Sequence, residues 1–297
     1  PCENLYLMER VRHMMRSVFG ASVQGASHIR TGRECQDSLK KEVKDSGAVI
    51  LSVADGHGSD ACPYSKTGSL TAVNVFCRIM GDYLDTYAGR QEMLFTFLKR
   101  EGDTRIAREI DAEWKRRILK LHTRCRRSIP VDESQNKDRE AVYKLYGSTL
   151  LGLVITEEFL FAFQLGDGDI VKVSESGVYS VIEADKILGT ETHSLSKAES
   201  WKKAVTLTRK REENERLPVM YMLSSDGMSN SYKNEEEFQK TCMDYYALLG
   251  EHGVKAVSGR LKTWLQETSE MGCGDDITAL FAYETEQILQ SGSSEGV

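Results

Sequence analysis

The 297-residue sequence lacks long hydrophobic runs, and this excludes several classes of protein. Its unbroken apolar stretches reach about five to seven residues, far short of the roughly 20 that cross a bilayer. The N-terminal residues contain no apolar segment of the kind found in signal peptides. We therefore expect a soluble, cytoplasmic protein that is not bound to a membrane.

Paired cysteines, prolines and an excess of positive charge are also missing. The seven cysteines are scattered and include no C-x-x-C pair, so neither a disulfide framework nor a zinc ribbon is indicated. Only four prolines occur, which excludes a low-complexity chain. Acidic residues outnumber basic ones by 45 to 39, which argues against a dedicated nucleic-acid-binding protein. The composition indicates an ordinary globular chain and leaves its oligomeric state open.

The apolar pattern divides the chain into predicted strands and helices. Helical spacing predicts two or more amphipathic helices between residues 69 and 146 and another helix at 235–269. Short apolar runs that end in glycine or aspartate predict strands. These strands are at 17–24, 48–54, 149–155, 159–165, 170–174, 178–182, 219–223 and 277–283.

The connections predict how the strands pair. The four strands between residues 149 and 182 are joined by turns too short for crossover helices, so they must pair antiparallel, as a meander and not as a Rossmann sheet. The polar stretch 185–217 is predicted to be an excursion between strands. We expect one domain at 17–284, after a leader at 1–16 and before a disordered tail at 285–297.

Three predicted strands run directly into an Asp-Gly pair, at Asp55, Asp167 and Asp226, and a fourth begins after Asp275. If the topology places these strand ends on one rim, four or five carboxylates converge there. Their mutual repulsion is costly unless cations neutralise it. Carboxylate oxygens favour Mg²⁺ or Mn²⁺, and several carboxylates at one site suit a two-metal centre.

Several short motifs carry a more specific signal. In chain order they are Gly25-Ala-Ser-His28, Gln36-Asp37-Ser38, Ala54-Asp-Gly-His-Gly58, Gly147-Ser-Thr149, Gly166-Asp167, Ser225-Asp-Gly227 and Gly274-Asp-Asp-Ile-Thr278. Their order and spacing resemble those of the metal-dependent protein phosphatase family, type 2C, in its bacterial style. The resemblance covers roughly residues 17 to 284. It implies an α+β fold, an αββα sandwich of two mainly antiparallel sheets flanked by helices.

The resemblance also implies a set of metal ligands. Asp55 would bridge two ions, and the carbonyl group of Gly56 would bind one of them. Asp226 and Asp275 would bind the first ion, and Asp167 would help to hold a third. The implied cofactors are therefore two Mg²⁺ or Mn²⁺ ions, with a possible third.

Two further residues receive roles from the same resemblance. Asp37 would bind a metal ion directly or contact a residue that does. His57 follows the bridging aspartate, which suits a general acid that protonates the leaving alkoxide. A water that bridges the two ions would attack phosphorus in line, so no covalent phosphoenzyme is needed.

The sequence departs from the family pattern at two positions. Gln36 stands where many members carry a glutamate ligand, and Gly32 stands where they carry the arginine that binds phosphate. Arg33 and Arg30 are the nearby candidates for that role, because a guanidinium group can bind phosphate through two hydrogen bonds.

The function implied is hydrolysis of phosphoserine and phosphothreonine in a phosphorylated protein partner, as part of signalling. Two alternatives remain open from the sequence. One is a catalytically weak or silent regulatory module of the same fold. The other is a phosphatase of small metabolites, because a shared fold does not determine the substrate.

Overall fold

The computed structural model of the chain describes residues 12–125, 135–183, 193–212 and 215–288. In this part of the chain two five-stranded sheets pack face to face, and helices cover their outer surfaces. All neighbouring strands within the sheets run antiparallel. The predicted α+β sandwich is therefore confirmed.

Ten strands make up the two sheets within the described residues. In chain order they are β1 (Arg12–Val23), β2 (Ser38–Val43), β3 (Val49–Ala54), β4 (Leu150–Ile155), β5 (Phe159–Leu165), β6 (Asp169–Ser174), β7 (Gly177–Ser180), β8 (Val205–Lys210), β9 (Val219–Ser224) and β10 (Ile277–Ile288). The first sheet has the order β1-β10-β9-β6-β7, and the second has the order β2-β3-β4-β5-β8.

The longer helices lie where the apolar spacing predicts them, whereas two short helices, Ala26–Thr31 and Asp226–Ser229, were not predicted. They are α1 (Ala26–Thr31), α2 (Ser65–Thr86), α3 (Gln91–Glu101), α4 (Ala107–Arg124), α5 (Gln135–Lys144), α6 (Asp226–Ser229) and α7 (Glu235–Met271). A π-helical turn (Gly102–Ile106) joins α3 to α4, and a 3₁₀ helix (Ser200–Lys203) precedes β8. None of the helices in the described ranges combines the length and hydrophobicity required to cross a membrane.

Three apolar clusters hold the layers together. One lies between the two sheets and includes Leu51 and Leu280. A second joins the second sheet to α2 and α4 around Phe76 and Trp114, and a third joins the first sheet to α7 around Phe281. Every residue of β3, β4, β5 and β9 is buried. Strands that are covered on both faces carry nearly continuous apolar sequences, which explains why these four strands could be predicted.

The predicted meander is wrong in one respect. β4 pairs with β5 and β6 pairs with β7, as expected, but β5 and β6 belong to different sheets. The turn between them contains Gly166, whose φ of +118° allows the chain to change direction there. The same turn carries Asp167 between the ends of the two sheets.

The stretch 185–217 is more than the predicted excursion. It contains the 3₁₀ helix and also β8, which pairs with β5 at the edge of the second sheet. β8 was not predicted because an edge strand is only partly buried and ends here in the exposed pair Arg209 and Lys210. Residues 184–192 and 213–214 of the predicted excursion lie outside the described residues.

The outer strands extend past both predicted domain boundaries. β1 begins within the predicted leader, and β10 continues to Ile288, within the predicted tail. Arg16 lies opposite Glu284 in this pairing. The side chain of Glu284 is completely buried and accepts hydrogen bonds from Arg16 and Arg211. The boundaries at 16 and 285 are therefore misplaced, and residues 1–11 and 289–297 lie outside the described residues.

Candidate active site

Four of the predicted ligand aspartates lie at one end of the sandwich because of the antiparallel pairing. Asp55 follows β3, Asp167 follows β5 and Asp226 follows β9. β3 and β5 both end beside the start of β4. Asp275 lies just before β10, and the start of β10 lies beside the end of β9. The strand ends therefore bring the predicted ligands together.

Asp37 reaches the same place from the segment before β2. The residue is buried, and one of its carboxyl oxygens, Oδ2, accepts a 2.6 Å hydrogen bond from Ser225 Oγ. Ser225 also accepts a hydrogen bond from the backbone N–H group of Thr278, at 2.9 Å. The other carboxyl oxygen, Asp37 Oδ1, is buried and has no hydrogen-bond partner. Ser225 thus fixes the Asp37 carboxyl group next to Asp226 and leaves one oxygen available.

The carboxyl groups lie close enough to interact with one another. The side chain of Asp55 interacts with those of Asp37 and Asp226. Asp275 and Asp167 are close enough to add repulsion, Asp275 toward both Asp55 and Asp226 and Asp167 toward Asp226. The site therefore concentrates negative charge in a small volume.

Burial, together with this crowding, raises the pKa of three of these groups. Burial raises the pKa of Asp37 to about 7, although the hydrogen bond from Ser225 opposes the shift. Burial and then the charge of Asp167 raise the pKa of Asp226 to about 6. The pKa of Asp55 is also raised, first by burial and then by Asp37. Charged carboxylates are thus destabilised here unless a cation balances them.

Gly227 shows how closely the chain packs around these groups. A Cβ atom on this residue would lie 2.1 Å from the backbone oxygen of Asp276. Only glycine leaves room for that approach. The Ser225-Asp-Gly227 motif and the Gly274-Asp-Asp motif are therefore in direct contact, which holds Asp226 and Asp275 on the same rim.

The Asp55-Gly-His57 turn is held by the segment Gly147–Thr149. The Thr149 N–H group donates to the carbonyl oxygen of Asp55 at 2.8 Å, and the Asp55 N–H group donates to Thr149 Oγ1 at 2.9 Å. The His57 N–H group donates to the carbonyl oxygen of Gly147 at 3.1 Å. A Cβ atom on Gly147 would lie 2.5 Å from the His57 ring. These contacts fix the backbone of the turn and pack the imidazole ring against Gly147.

Two residues of the site received no role from the sequence, His28 and Asp276. Asp276 is buried and accepts three hydrogen bonds, from the backbone N–H groups of Gly25 and Gln36, both at 2.7 Å, and from His28 Nδ1 at 2.9 Å. His28 Nε2 lies 3.8 Å from Asp275 Oδ1. Asp276 therefore links the two N-terminal motifs to the loop before β10. The signal was present in the Gly25-Ala-Ser-His28 motif, but sequence alone does not pair it with Asp276.

The two predicted phosphate-binding arginines differ in their surroundings. Arg33 donates to the carbonyl oxygen of Gly58 and to Asp60 Oδ1, at 2.7 Å for the second, so it lies against the loop that follows His57. Arg30 is exposed on α1. The structure therefore brings Arg33 next to the Asp-Gly-His-Gly motif and leaves Arg30 on the surface.

The donor atoms of the site fit divalent cations. Within the described ranges no group of three or more His, Cys, Asp and Glu side chains is spaced to hold a metal ion. Asp37 Oδ1 is nevertheless a buried oxygen without a partner. Carboxylate and carbonyl oxygens are the ligands that Mg²⁺ and Mn²⁺ prefer, and a cation would offset the repulsion between the carboxylates. The residues present are therefore suitable metal ligands.

A cavity of 540 Å³ lies at the opposite end of the sheets. Its lining includes Lys172, Glu215, Pro218 and Tyr246 and none of the clustered aspartates. Lys172 and Glu215 form an ion pair there. The cavity is therefore separate from the aspartate cluster.

Comparison with known proteins agrees with this fold. The sequence matches the family model of protein phosphatase 2C over residues 24–266. The catalytic domain of the serine/threonine protein phosphatase PstP, in complex with two manganese ions, is 14% identical, with a TM-score of 0.56 over 92% of this chain and 100% of that chain. No curated protein matches the sequence.

Two further solved structures have a similar fold. PppA, a regulatory component of the T6SS in Pseudomonas aeruginosa, is 17% identical, with a TM-score of 0.54 over 92% of this chain and 98% of that chain. A bacterial serine phosphatase is 13% identical, with a TM-score of 0.54 over 94% of this chain and 100% of that chain. At these identities the likeness extends to the fold alone.

Proposed function

The chain belongs to the protein phosphatase 2C family, and we propose that it is a metal-dependent phosphatase that hydrolyses phosphoserine and phosphothreonine in a phosphorylated protein. One observation carries the proposal, the convergence of the carboxyl groups of Asp37, Asp55 and Asp226 to within interaction distance of one another. These groups come from three separate segments of the chain, and such repulsion is costly unless the site binds cations.

The proposed ligands are the aspartates of the cluster together with one backbone carbonyl group. They are Asp37, Asp55, Gly56, Asp167, Asp226 and Asp275. Bound Mg²⁺ or Mn²⁺ would supply a nucleophilic water at neutral pH and would balance charge on the phosphoryl oxygens. Two ions, with a possible third, follow from the family resemblance. Ser225 and Thr149 would hold Asp37 and Asp55 in place, through the hydrogen bonds described above.

His57 is the proposed general acid. Its backbone is fixed by Gly147, its ring packs against Gly147, and it is only two residues from Asp55 in the sequence. In this role the ring gives a proton to the serine or threonine oxygen as the P–O bond breaks. Arg33 is the proposed phosphate-binding residue, with the exposed Arg30 as the second candidate, because Arg33 contacts the loop directly after His57.

The free cysteines favour a reducing compartment as the location of the protein. All six cysteines of the described residues are free. Disulfides are rare in the cytosol, where thiols stay reduced. We therefore assign the proposed activity to the cytoplasm, with a phosphorylated protein as its partner.

The decisive experiment is an assay of the purified chain with Mn²⁺, with Mg²⁺ and with EDTA. The substrates are an aryl phosphate, a phosphothreonine peptide and a phosphorylated sugar. We expect hydrolysis of the first two that requires metal and falls at least about 100-fold in Asp226→Asn, because this change removes one metal ligand. Asp45→Asn is the matched control, since Asp45 is exposed in the turn between β2 and β3.

Each alternative function predicts a different result. Faster turnover of the sugar phosphate than of the peptide would favour the small-metabolite phosphatase. Mn²⁺ binding without hydrolysis of any substrate would favour the regulatory module, and the departures at Gln36 and Gly32 would then be the first positions to restore. Equal hydrolysis in EDTA would contradict the metal-dependent mechanism.

A further inference from the structure

Ser148 lies between the Asp55-Gly-His57 turn and a second segment of the chain. On one side it forms an isolated antiparallel bridge with Gly56. Its neighbours Gly147 and Thr149 bond to His57 and Asp55 on that same side. Ser148 is completely buried. The backbone N–H and C=O groups of Ser148 itself therefore need other partners, because buried backbone N–H and C=O groups are almost always hydrogen-bonded.

Those partners come from residues 193–203, ahead of β8. Ser148 N–H donates to Ser194 Oγ at 3.1 Å, and Leu195 N–H donates to the Ser148 carbonyl oxygen at 2.9 Å. Ser194 Oγ also lies 3.0 Å from Ser196 Oγ. Ser194 and Leu195 are each only 1% exposed, so water does not compete for these contacts. The Ser194 hydroxyl group is thus the side-chain acceptor for the Ser148 N–H group.

The same segment is anchored to α4 at its other end. Ser200 Oγ donates to Asp111 Oδ1, and Asp111 also pairs with Lys115 at 2.8 Å. Lys115 Nζ donates to the carbonyl oxygen of Lys197 at 2.9 Å. Both Asp111 and Ser200 are buried. A buried carboxylate bonded to a hydroxyl group and an ammonium group restrains the segment more firmly than a surface loop would.

We infer that Ser194 is a positioning residue for the proposed reaction. Within the described residues, the hydrogen bonds of its side chain go to Ser148 and Ser196 and not to the aspartates or the predicted substrate-binding residues. It holds Ser148, and the Gly147–Thr149 segment in turn holds the backbone of Asp55 and His57. Small displacements of reacting groups are costly to catalysis, so residues 193–203 contribute to turnover although they lie outside the cluster. The inference rests on the proposed function only for its kinetic consequence, since the positioning itself is measurable without substrate.

The test compares Ser194→Ala with Thr156→Val as the matched control. Thr156 is also buried, and its hydroxyl group accepts from the backbone N–H groups of Glu158 and Phe159 and donates to the Phe159 carbonyl oxygen. It lies at the far end of β4, beyond the last residue of the strand. Amide hydrogen exchange of the full chain is measured without metal or substrate, followed by kcat and KM on an aryl phosphate.

In Ser194→Ala we expect the His57 and Thr149 amides to exchange about tenfold faster, because their local opening becomes less costly. We expect kcat to fall about tenfold with KM unchanged, since substrate contacts stay in place. In Thr156→Val these two amides and kcat should match the wild type. Ser200→Ala, which releases the anchor on α4, should shift both readouts in the same direction by a smaller factor.

Unchanged exchange of the His57 and Thr149 amides in Ser194→Ala would overturn the inference. So would an equal change in Thr156→Val, because that result would indicate a general loss of stability. If Ser194→Ala does not fold, the inference is decided by Ser200→Ala on the same readouts. If the wild type hydrolyses nothing, the proposed function fails, but the exchange experiment still decides whether Ser194 positions the turn.

Discussion

His28 Nδ1 lies 2.9 Å from Asp276 Oδ1, and this contact ties α1 to the loop before β10. Asp276 also accepts from the N–H groups of Gly25 and Gln36 and is buried, whereas half of the Asp275 side chain is exposed. Two adjacent aspartates thus have different tasks. Asp276 joins the segments that form the site, and Asp275 is the one available to a metal ion.

This difference in burial and bonding predicts that Asp276→Asn mainly lowers stability, whereas Asp275→Asn mainly lowers activity. Asp276→Asn places an amide NH₂ group against a backbone donor, so we expect a loss of about 2 kcal/mol in the free energy of unfolding. Asp275→Asn should change that free energy by less than about 0.5 kcal/mol and should still abolish metal-dependent hydrolysis. Urea unfolding in EDTA and activity with Mn²⁺ measure the two effects. Equal destabilisation by both variants would contradict the assignment.

The site could be predicted from sequence only where its signal is local. Asp55 and Asp226 each follow a strand that is buried on both faces, so an apolar run followed by aspartate and glycine marks them. The role of Asp276 has no such signal. It depends on contacts with Gly25 and Gln36, which are more than 200 positions away in the sequence.

The same limit applies to the fold. β3, β4, β5 and β9 could be predicted because their residues are buried on both faces of a sheet. The first half of β1 mixes charged residues with two methionines and has no strand pattern of its own; it pairs along its whole length with the distant β10, where Arg16 meets Glu284. The change of sheet at Gly166 likewise depends on the packing of two whole sheets, which the alternation of residues within β5 and β6 does not encode.

The leaving group provides a test of His57. A general acid matters most when the leaving oxygen is a poor leaving group, as in the alkoxide of threonine. In His57→Gln we expect kcat to fall about 100-fold on a phosphothreonine peptide and less than about tenfold on an aryl phosphate with an acidic phenol. Steady-state kinetics with Mn²⁺ give both values. Equal losses on the two substrates would show that His57 does not act as the acid.

Arg33 and Asp60 test the proposed phosphate-binding role. Arg33 donates to Asp60 Oδ1 and to the Gly58 carbonyl oxygen, so removing its side chain affects both the loop and any bound phosphate. Arg33→Ala should raise KM for a phosphopeptide about tenfold, because a charge-assisted hydrogen bond to phosphate is lost. Asp60→Asn, which weakens only the surface ion pair, should leave KM within about twofold of the wild type. A rise of equal size in both variants would assign Arg33 to the loop alone.

Substitution of the buried Glu284 should lower the stability of the fold without changing the aspartate cluster. Its carboxylate accepts from Arg16 and Arg211 at the end of the sheets opposite to the aspartates. Glu284→Gln leaves the buried guanidinium group of Arg16 without a charge partner and leaves Arg211 with Glu215 alone, and we expect the free energy of unfolding to fall by about 3 kcal/mol. Glu267→Gln, on the exposed face of α7, is the matched control. The Mn²⁺ affinity of the folded Glu284→Gln protein should equal that of the wild type.

Replacement of Gln36 by glutamate should strengthen metal binding at the proposed site. Its side-chain oxygen, Oε1, is buried without a hydrogen-bond partner, next to Asp37, and many members of the family carry glutamate at this position. Gln36→Glu adds a charged oxygen ligand, so we expect Mn²⁺ to bind about tenfold more tightly. The same charge is unfavourable in the metal-free protein, which should lose about 1 kcal/mol of stability in EDTA because a buried carboxylate then lies beside other carboxylates. Calorimetric titration with Mn²⁺ and unfolding in EDTA measure the two changes. Tighter binding together with lower metal-free stability would place residue 36 among the ligands, whereas no change in Mn²⁺ affinity would place it outside them.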